Sequence, residues 1–411
     1  LLVVIESEGL NKNELKYEVT LRNIAEVLKN HSSSLENSRI GLAEGLSGYS
    51  LTLFEIGNEL NDDALNDSAL TLISRAIEGA ESENLKFSHI NGLSGLAWTL
   101  CYFAEKKVIE LDEEFFEGIE SVLSEVAMNH LNQGDYDLLH GGLGIGLFFL
   151  KRNNDYSREI VSNMISALES FSVNDVHGRR WFNLRGKFPK SVDLGLAHGL
   201  PGIMSFLLRA HDKGIRSEDC RRIILEILDY LLSHRYLEEG KLSFPSAVSE
   251  ENGIVPVSSS RLAWCYGDLS ISIVLLQIAK SLRLDDLKDQ AIEIGLNTTK
   301  FKDPNVTFLS DAAFCHGFGG VSYLYNKLFL LTGLRTFEEN SKFWLVKAIT
   351  LVESMGGVSN FRSFIPEKND LPGKETGWVQ SFGLLEGLAG MAMALCEKSN
   401  ENGWDECLLL S

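Results

Sequence analysis

No apolar run in this chain of 411 residues is long enough to cross a bilayer, and no secretory signal peptide is visible. Basic charge is short: 38 Lys and Arg face 57 Asp and Glu, a formal net charge of -19. Phosphate recognition needs a basic patch, so nucleic acid is not an expected partner. The balance suits a soluble protein and a cationic or neutral partner, without identifying one. Cysteine is sparse and scattered, at Cys101, Cys220, Cys265, Cys315, Cys396 and Cys407. That is no disulfide framework, the chain is too large to need one, and a reducing cytoplasm is the natural setting. The chain starts at Leu1, so at least an initiator Met is expected to have been trimmed.

What the chain has is a recurring glycine motif. The copies are Glu44-Gly45-Leu46-Ser47-Gly48, Asn91-Gly92-Leu93-Ser94-Gly95, His140-Gly141-Gly142-Leu143-Gly144 and His198-Gly199-Leu200-Pro201-Gly202. Tyr266-Gly267-Asp268-Leu269-Ser270, His316-Gly317-Phe318-Gly319-Gly320 and Glu386-Gly387-Leu388-Ala389-Gly390 complete the set. The spacing, about 47 to 70 residues, is that of helical-hairpin arrays. Six copies read Gly-x-x-Gly, and the fifth has Ser270 at the second glycine. The stretches after the motif, such as 145–150, 203–208 and 321–325, are apolar almost all round and predict buried inner helices. The stretches between motifs, such as 221–232, are amphipathic and predict outer helices. Seven such hairpins closing on themselves would form a double ring of about fourteen helices, with no open apolar end to cap. The glycine turns would then gather at one mouth, with the residue before each first glycine facing the centre. That set is Glu44, Asn91, His140, His198, Tyr266, His316 and Glu386, all polar although the helices behind them are apolar. Three longer gaps, 173–193, 236–260 and 355–380, read as loops or short strands over the ring, where substrate-binding elements usually lie.

Cys265, Cys315 and His316 fall at equivalent places in the repeat. Two thiols and an imidazole make a three-ligand set for zinc, leaving one position for a substrate. Either cysteine alone would more often be core. The adjacent Cys-His pair, with a third ligand one repeat earlier, tips the reading to a metal centre that activates a thiol.

The motifs Ser260-Arg-Leu-Ala-Trp-Cys-Tyr-Gly267, Ala313-Phe-Cys-His-Gly317, Leu194-Gly-Leu-Ala-His-Gly-Leu-Pro-Gly202 and Tyr136-Asp-Leu-Leu-His-Gly-Gly-Leu-Gly144 resemble those of the lanthionine synthetase C-like family, the cyclases of lanthipeptide biosynthesis. The repeats extend the resemblance over nearly the whole chain. It implies a single domain over 1–411, an all-α (α/α) toroid of seven helical-hairpin repeats forming a double ring. A small β-containing extension is also implied, and 236–260 is the candidate for part of it. One zinc ion per chain is implied, held by Cys265, Cys315 and His316. The resemblance further implies His198 as acid/base, with Asp137, Arg261 and Tyr266 at other active-site positions. It gives His140 no role, and a pocket-lining place is expected rather than a fourth ligand. The substrate implied is a dehydrated precursor peptide. A dehydratase and an exporter could join it, in the cytoplasm or at a membrane through such a complex.

The implied reaction adds a peptide thiol to dehydroalanine or dehydrobutyrine, giving a thioether ring. A free thiol, with a pKa of about 8.5, is only slightly ionised at neutral pH, and zinc would deprotonate it. Attack builds negative charge on the amide oxygen, and the α-carbon must then be protonated. His198 suits the proton transfer, although it could merely cap a helix. Arg261 could stabilise the enolate or pair with Asp137, and pairing is the expectation. Asp137 could be an N-cap, and Tyr266 could simply pack. Cys101, Cys220, Cys396 and Cys407 read as core or surface thiols. Two rivals to a peptide cyclase stay open: an enzyme that adds glutathione or another small thiol, and a non-catalytic zinc-bearing scaffold that binds a peptide or a modifying partner.

Overall fold

The computed structural model describes residues 7–110, 113–185, 190–238, 240–251, 255–256, 260–365, 377–396 and 402–411. Its helices are α1 (Ser7–Ser33), α2 (Leu46–Leu60), α3 (Asp63–Gly79), α4 (Leu93–Glu105), α5 (Glu113–Leu131), α6 (Gly142–Arg152), α7 (Asp155–Ser170), α8 (Leu200–Asp212), α9 (Ser217–Ser233), α10 (Asp268–Leu282), α11 (Asp285–Thr298), the single turn α12 (Pro304–Thr307), α13 (Phe318–Thr332), α14 (Arg335–Ser354) and α15 (Leu388–Leu395). The seven helices α2, α4, α6, α8, α10, α13 and α15 each start on the residue after a motif's first glycine. They are the apolar ones: every residue of 142–150 in α6 is buried. The helices between them bury one stripe only, as α9 does with Ile223, Ile224, Ile227, Leu228 and Leu231. The inner and outer pattern read from periodicity is therefore present.

The glycines have a common steric cause. A Cβ on Gly320 would lie 1.7 Å from the Phe314 carbonyl oxygen, and one on Gly48 would lie 1.9 Å from that of Leu42. In five of the seven turns, at Gly48, Gly144, Gly202, Gly320 and Gly390, the chain doubles back so tightly that a carbonyl six residues earlier crowds the second glycine. This doubling also caps the helix. The amides of Leu46, Leu93, Gly142, Phe318 and Leu388 each donate to the carbonyl seven residues before, at 2.7 to 3.2 Å. Amides that a helix start normally leaves open are thus met by backbone, with no side-chain cap. The fifth turn differs. Gly267 sits at φ 113°, in the region that favours glycine, whereas the first glycines of the other turns are extended. With the turn redirected there, Ser270 is tolerated, and its hydroxyl donates back to the Gly267 carbonyl at 3.1 Å.

The described residues group into two compact units, each with its own core. The first comprises Leu1–Glu83 and Phe308–Trp404. Within it α15 packs on both α13 and α2, so the seventh repeat's inner helix lies beside the first repeat's. The second comprises Asn84–Thr307 and Asp405–Ser411, where α4, α6, α8 and α10 pack in chain order. In the second unit the last residues form a spine. The carbonyls of Cys407, Leu408, Leu409 and Leu410 accept from His89, Trp264, Ser205 and Gln277 in turn, at 2.9 to 3.3 Å. In three hairpins a buried inner-helix serine, Ser50, Ser272 or Ser322, donates to an outer-helix carbonyl 19 residues on.

The three gaps hold short strands. The first gives the antiparallel pair β1 (Val173–Asp175) and β2 (Gly178–Arg180), followed by β3 (Ser191–Asp193). The second gives β4 (Ala247–Ser249) and β5 (Val255–Pro256), which join β3 in one antiparallel sheet, and the third gives the hairpin β6 (Arg362–Ile365) with β7 (Gly377–Gln380). Arg179 and Arg180, in the first gap, act as clamps. Arg179 pairs with Glu226 on α9 at 2.6 Å, and Arg180 pairs with Glu250 at 2.6 Å and Asp175 at 3.0 Å. Tyr230 on α9 donates to the same Glu250 at 2.7 Å, and Trp181 is 2% exposed, so this segment is fastened inward. No described helix is long and apolar enough to cross a membrane.

Candidate active site

The residue before each first glycine keeps solvent exposure while the helix after it is buried. Glu44, Asn91 and Glu386 are exposed; His140, His198, Tyr266 and His316 are half-buried. Backbone capping explains how: these side chains are not needed to hold the helix start.

In the second unit, the turns before α6, α8 and α10 carry Asp137, His198, Tyr266 and Cys265. Asp137 is 3% exposed. One carboxylate oxygen accepts the amides of Leu139 and His140, at 2.9 and 2.8 Å, locking the turn. The other meets His198 Nδ1 at 2.5 Å. Burial opposes a charge on Asp137, but the bond and charge of His198 outweigh it and hold the carboxyl below its usual range. Burial likewise opposes a charge on His198, and Asp137, with smaller help from Cys265 and Asp193, raises its pKa. The pair fixes the imidazole through Nδ1 and leaves Nε2 outside that bond. The Tyr266 ring lies 5.7 Å from the His198 ring, centre to centre, and packs against Gly195. Burial, with Asp193 nearby, pushes the Tyr266 hydroxyl up, so it is a neutral donor over the working pH range. His140 is half-buried and its pKa is lowered chiefly by burial.

Arg261 does not pair with Asp137, and that expectation is corrected. His198 takes the free carboxylate oxygen, and Arg261 has no ion-pair partner among the described residues. Arg261 is half-buried, and its charge is felt at Tyr266. Cys265 is 7% exposed on the same turn, and its carbonyl accepts the Ala197 amide at 3.2 Å, tying that turn to the one bearing His198.

In the first unit, Cys315 and His316 occupy the turn before α13. Cys315 is buried and His316 half-buried, and the Cys315 sulfur and a His316 ring nitrogen lie within 4.8 Å of one another. Asp311 organises this turn: one carboxylate oxygen accepts the Ala313 amide at 3.0 Å, and the other accepts the Phe364 amide of β6 at 2.9 Å. The Cys315 amide donates to the Leu385 carbonyl at 2.7 Å. Cys101, Cys220, Cys396 and Cys407 are buried core thiols; burial pushes Cys101 and Cys220 up to about 12 and the other two well above the usual thiol value.

A family model described as lanthionine synthetase C-like protein matches residues 1–128 and 111–409. The chain belongs to the lanthionine synthetase C-like family. Among curated relatives of this family member, "Nisin biosynthesis protein NisC" of Lactococcus lactis subsp. lactis is 21% identical over 436 aligned positions, covering 98% of this chain and 96% of that protein. Among solved structures, "Nisin cyclase" superposes with a TM-score of 0.72 at 20% identity, covering 95% of this chain and 97% of that one. This likeness shows the fold, the all-α (α/α) toroid class expected from the motifs.

Sequence reasoning missed Asp193, Asp268 and Asp311. Asp268 opens α10 fully buried and accepts the Ser243 and Phe244 amides, holding the 236–249 stretch against that helix. Asp193 and Asp311 had a visible signal: each lies five residues before a His-Gly, as does Asp135 before His140.

Proposed function

We propose that this protein is a zinc-dependent cyclase that adds peptide cysteine thiols to dehydroalanine or dehydrobutyrine, forming lanthionine and methyllanthionine thioethers. One domain spanning 1–411 is the working unit. The observation that carries the reading is the Asp137–His198 pair, on the motif that the family resemblance marks for proton transfer. The relatives' names, a nisin biosynthesis protein and a nisin cyclase, point to the same substrate class.

The donor set fits zinc. Cys315 and His316 offer a thiolate and an imidazole within reach of one ion, and Cys265 adds a second thiolate, leaving one position open. When bound, the metal would supply the charge that ionises the attacking thiol at neutral pH. The chain's own residues do the rest. His198, oriented through Nδ1, delivers a proton from Nε2 to the α-carbon as the sulfur–β-carbon bond forms and the carbon–carbon double bond is lost. Tyr266 donates a hydrogen bond at the mouth of its turn. Arg261, not committed to Asp137, answers the negative charge that develops on the substrate amide oxygen. A dehydratase and an exporter are proposed partners of the same pathway step, and the cytoplasm is the proposed location.

The addition leaves the peptide's mass unchanged and consumes one alkylatable thiol per ring. Incubation of zinc-loaded protein with a dehydrated precursor peptide should therefore remove thiols that an alkylating reagent would label. Adding glutathione in the same tube separates the rival enzyme, because a glutathione adduct raises the peptide mass. Zinc binding with neither outcome would leave the scaffold reading in place of this one. Metal analysis completes the test: full zinc occupancy after Cys315→Ala with His316→Ala would rule out the ligand set.

A further inference from the structure

The described strands form small sheets, and most of their edges are guarded. β5 is two residues long and ends in Pro256, and β1 is three residues long and ends in Asp175. β2 is buried and packs against α9. On β3 the Ser191 carbonyl is taken by the Asn183 amide at 2.7 Å. On β6 the Phe364 amide is taken by Asp311 at 2.9 Å. β7, which reads Gly377-Trp378-Val379-Gln380, carries neither charge nor proline. Proteins normally protect such an edge, because its open N–H and C=O groups are a template for another strand.

The register shows which groups are open. The Phe364 amide points at Asp311, so it points away from β7. In an antiparallel pair, two residues directly opposite either exchange their hydrogen bonds or both turn their N–H and C=O groups away. Trp378 stands opposite Phe364, and Gln380 stands opposite Arg362 two residues along. The backbone groups of Trp378 and Gln380 therefore face the far edge of β7, about 7 Å apart along the strand. Among the described residues no hydrogen bond reaches these four groups; Gln380 uses only its side chain, which donates to the Ser359 carbonyl at 3.1 Å. The rings agree with this register. Phe364 and Trp378 meet edge to face at 5.6 Å, as suits an opposite pair whose side chains lie close. Trp378 is 44% exposed beside the open edge.

The hairpin is also fastened to the proposed site. Asp311 holds the Phe364 amide with one oxygen, and with the other it holds the Ala313 amide, on the turn that carries Cys315 and His316. The Ser363 hydroxyl donates to the carbonyl of Glu386, the residue before the first glycine of the following turn. All of these residues lie in the first unit.

We propose that the free edge of β7 takes up the substrate peptide as an added strand and so holds it next to the Cys315–His316 turn. Trp378 and Gln380 supply two donors and two acceptors to the peptide main chain. Main-chain pairing reads an extended backbone rather than its side chains, so peptides of different sequence can be held alike. An apolar side chain of the incoming strand would rest on the Trp378 ring. That the occupant is a dehydrated peptide rests on the cyclase reading.

The probe is a synthetic peptide with one dehydroalanine and with serine in place of its cysteine, so that it binds without reacting. Gln380→Pro removes one open N–H and no bond between β6 and β7, whereas Gln380→Ala removes the side-chain bond alone. In zinc-loaded protein, Gln380→Pro should weaken binding of the probe by about fivefold or more relative to Gln380→Ala, the scale of one lost hydrogen bond. N-methylation walked along the probe should weaken binding to the parent protein at alternate residues only, because groups that face one edge recur every second residue. Equal binding by folded Gln380→Pro and Gln380→Ala, or N-methyl effects without a period of two, overturns the proposal. Should Gln380→Pro not fold, the N-methyl series decides alone. If Gln380→Pro turns a dimer into a monomer and leaves probe binding unmoved, the edge pairs with a second copy of the chain and the proposal fails. Alternating N-methyl effects in a protein that leaves the cysteine form of the peptide unchanged would refute the cyclase reading and leave the strand edge standing.

Discussion

The inner and outer helices of this protein begin in different ways. Two outer helices use side chains: Asp62 accepts the Ala64 amide at 3.1 Å at the start of α3, and Asn154 accepts the Ser157 amide at 2.8 Å at the start of α7, whereas α9, α11 and α14 have no side-chain cap. Inner helices use a doubled-back backbone and glycine, with no side-chain cap at all. The difference separates two jobs that one residue usually shares. At the starts of α3 and α7, the residue before the helix is structural. At an inner start, glycine carries the structure, and the side chain before it can be glutamate, asparagine, tyrosine or histidine. Of the proposed site residues, His198, Tyr266 and His316 fall in that released position.

The comparison can be broken first at the glycines. Gly320→Ala pushes a methyl group into the Phe314 carbonyl, which is backbone and cannot swing aside. It should cost about 3 kcal/mol or more, read by denaturant unfolding. A near-parent stability would mean that the turn does not need its glycine. The next test runs the other way. His198→Asn should slow cyclisation about a hundredfold, the scale of general acid–base catalysis, while costing far less stability than Gly320→Ala and keeping zinc. Near-normal single-turnover rates in folded, zinc-loaded His198→Asn would return histidine to a structural role.

Arg261→Ala sharpens the same line. With Asp137 committed to His198, removing the guanidinium should lower the rate by at least about tenfold, the weaker end of a hydrogen bond to charge, with little change in melting temperature or zinc content. Arg261→Lys should recover part of it, because charge survives without the planar fork. An equal loss of stability and rate would restore an organising role. Smaller still is the outer cap: Asp62→Ala should cost about 1 to 2 kcal/mol, from the cap and an exposed Arg22 pair, and leave turnover alone.

The smallest effect is the pH dependence of the Asp137–His198 pair. The Asp137 carboxyl is depressed, so its contribution is present above the usual carboxylate value and is lost as pH falls through the lowered one. The His198 pKa is raised, so its contribution is present below the ordinary value of 6.5 and is lost as pH rises through the raised one. The stability difference between the parent and His198→Asn should therefore be largest between the two and shrink on both sides. A difference that is flat with pH would show that the pair adds nothing to folding.

Much of this was legible because it is written locally. Hydrophobic period and glycine spacing mark where each inner helix starts, and both depend on residues a few positions apart. The polar residues before the glycines stood out for the same reason. What was not legible is partner choice across distance. Asp137 and His198 are 61 residues apart and Arg180 and Glu250 are 70 apart. Charge alone made Arg261 as plausible a partner for Asp137 as His198 was, and only the turn geometry decides between them. The spine of Cys407 to Leu410 was invisible for a related reason: its donors are one histidine, one tryptophan, one serine and one glutamine, a set with no pattern.

Five of the six tryptophans, Trp98, Trp181, Trp264, Trp344 and Trp404, are buried, and Trp378 is 44% exposed on β7. Its ring lies 5.6 Å from Phe364, the residue whose amide is held by Asp311. The red edge of the emission spectrum, and the part a water-soluble quencher can extinguish, therefore belong to one indole in a hairpin fastened to the Cys315–His316 turn. The molecule carries its own optical gauge of whatever arrives there, readable without a label.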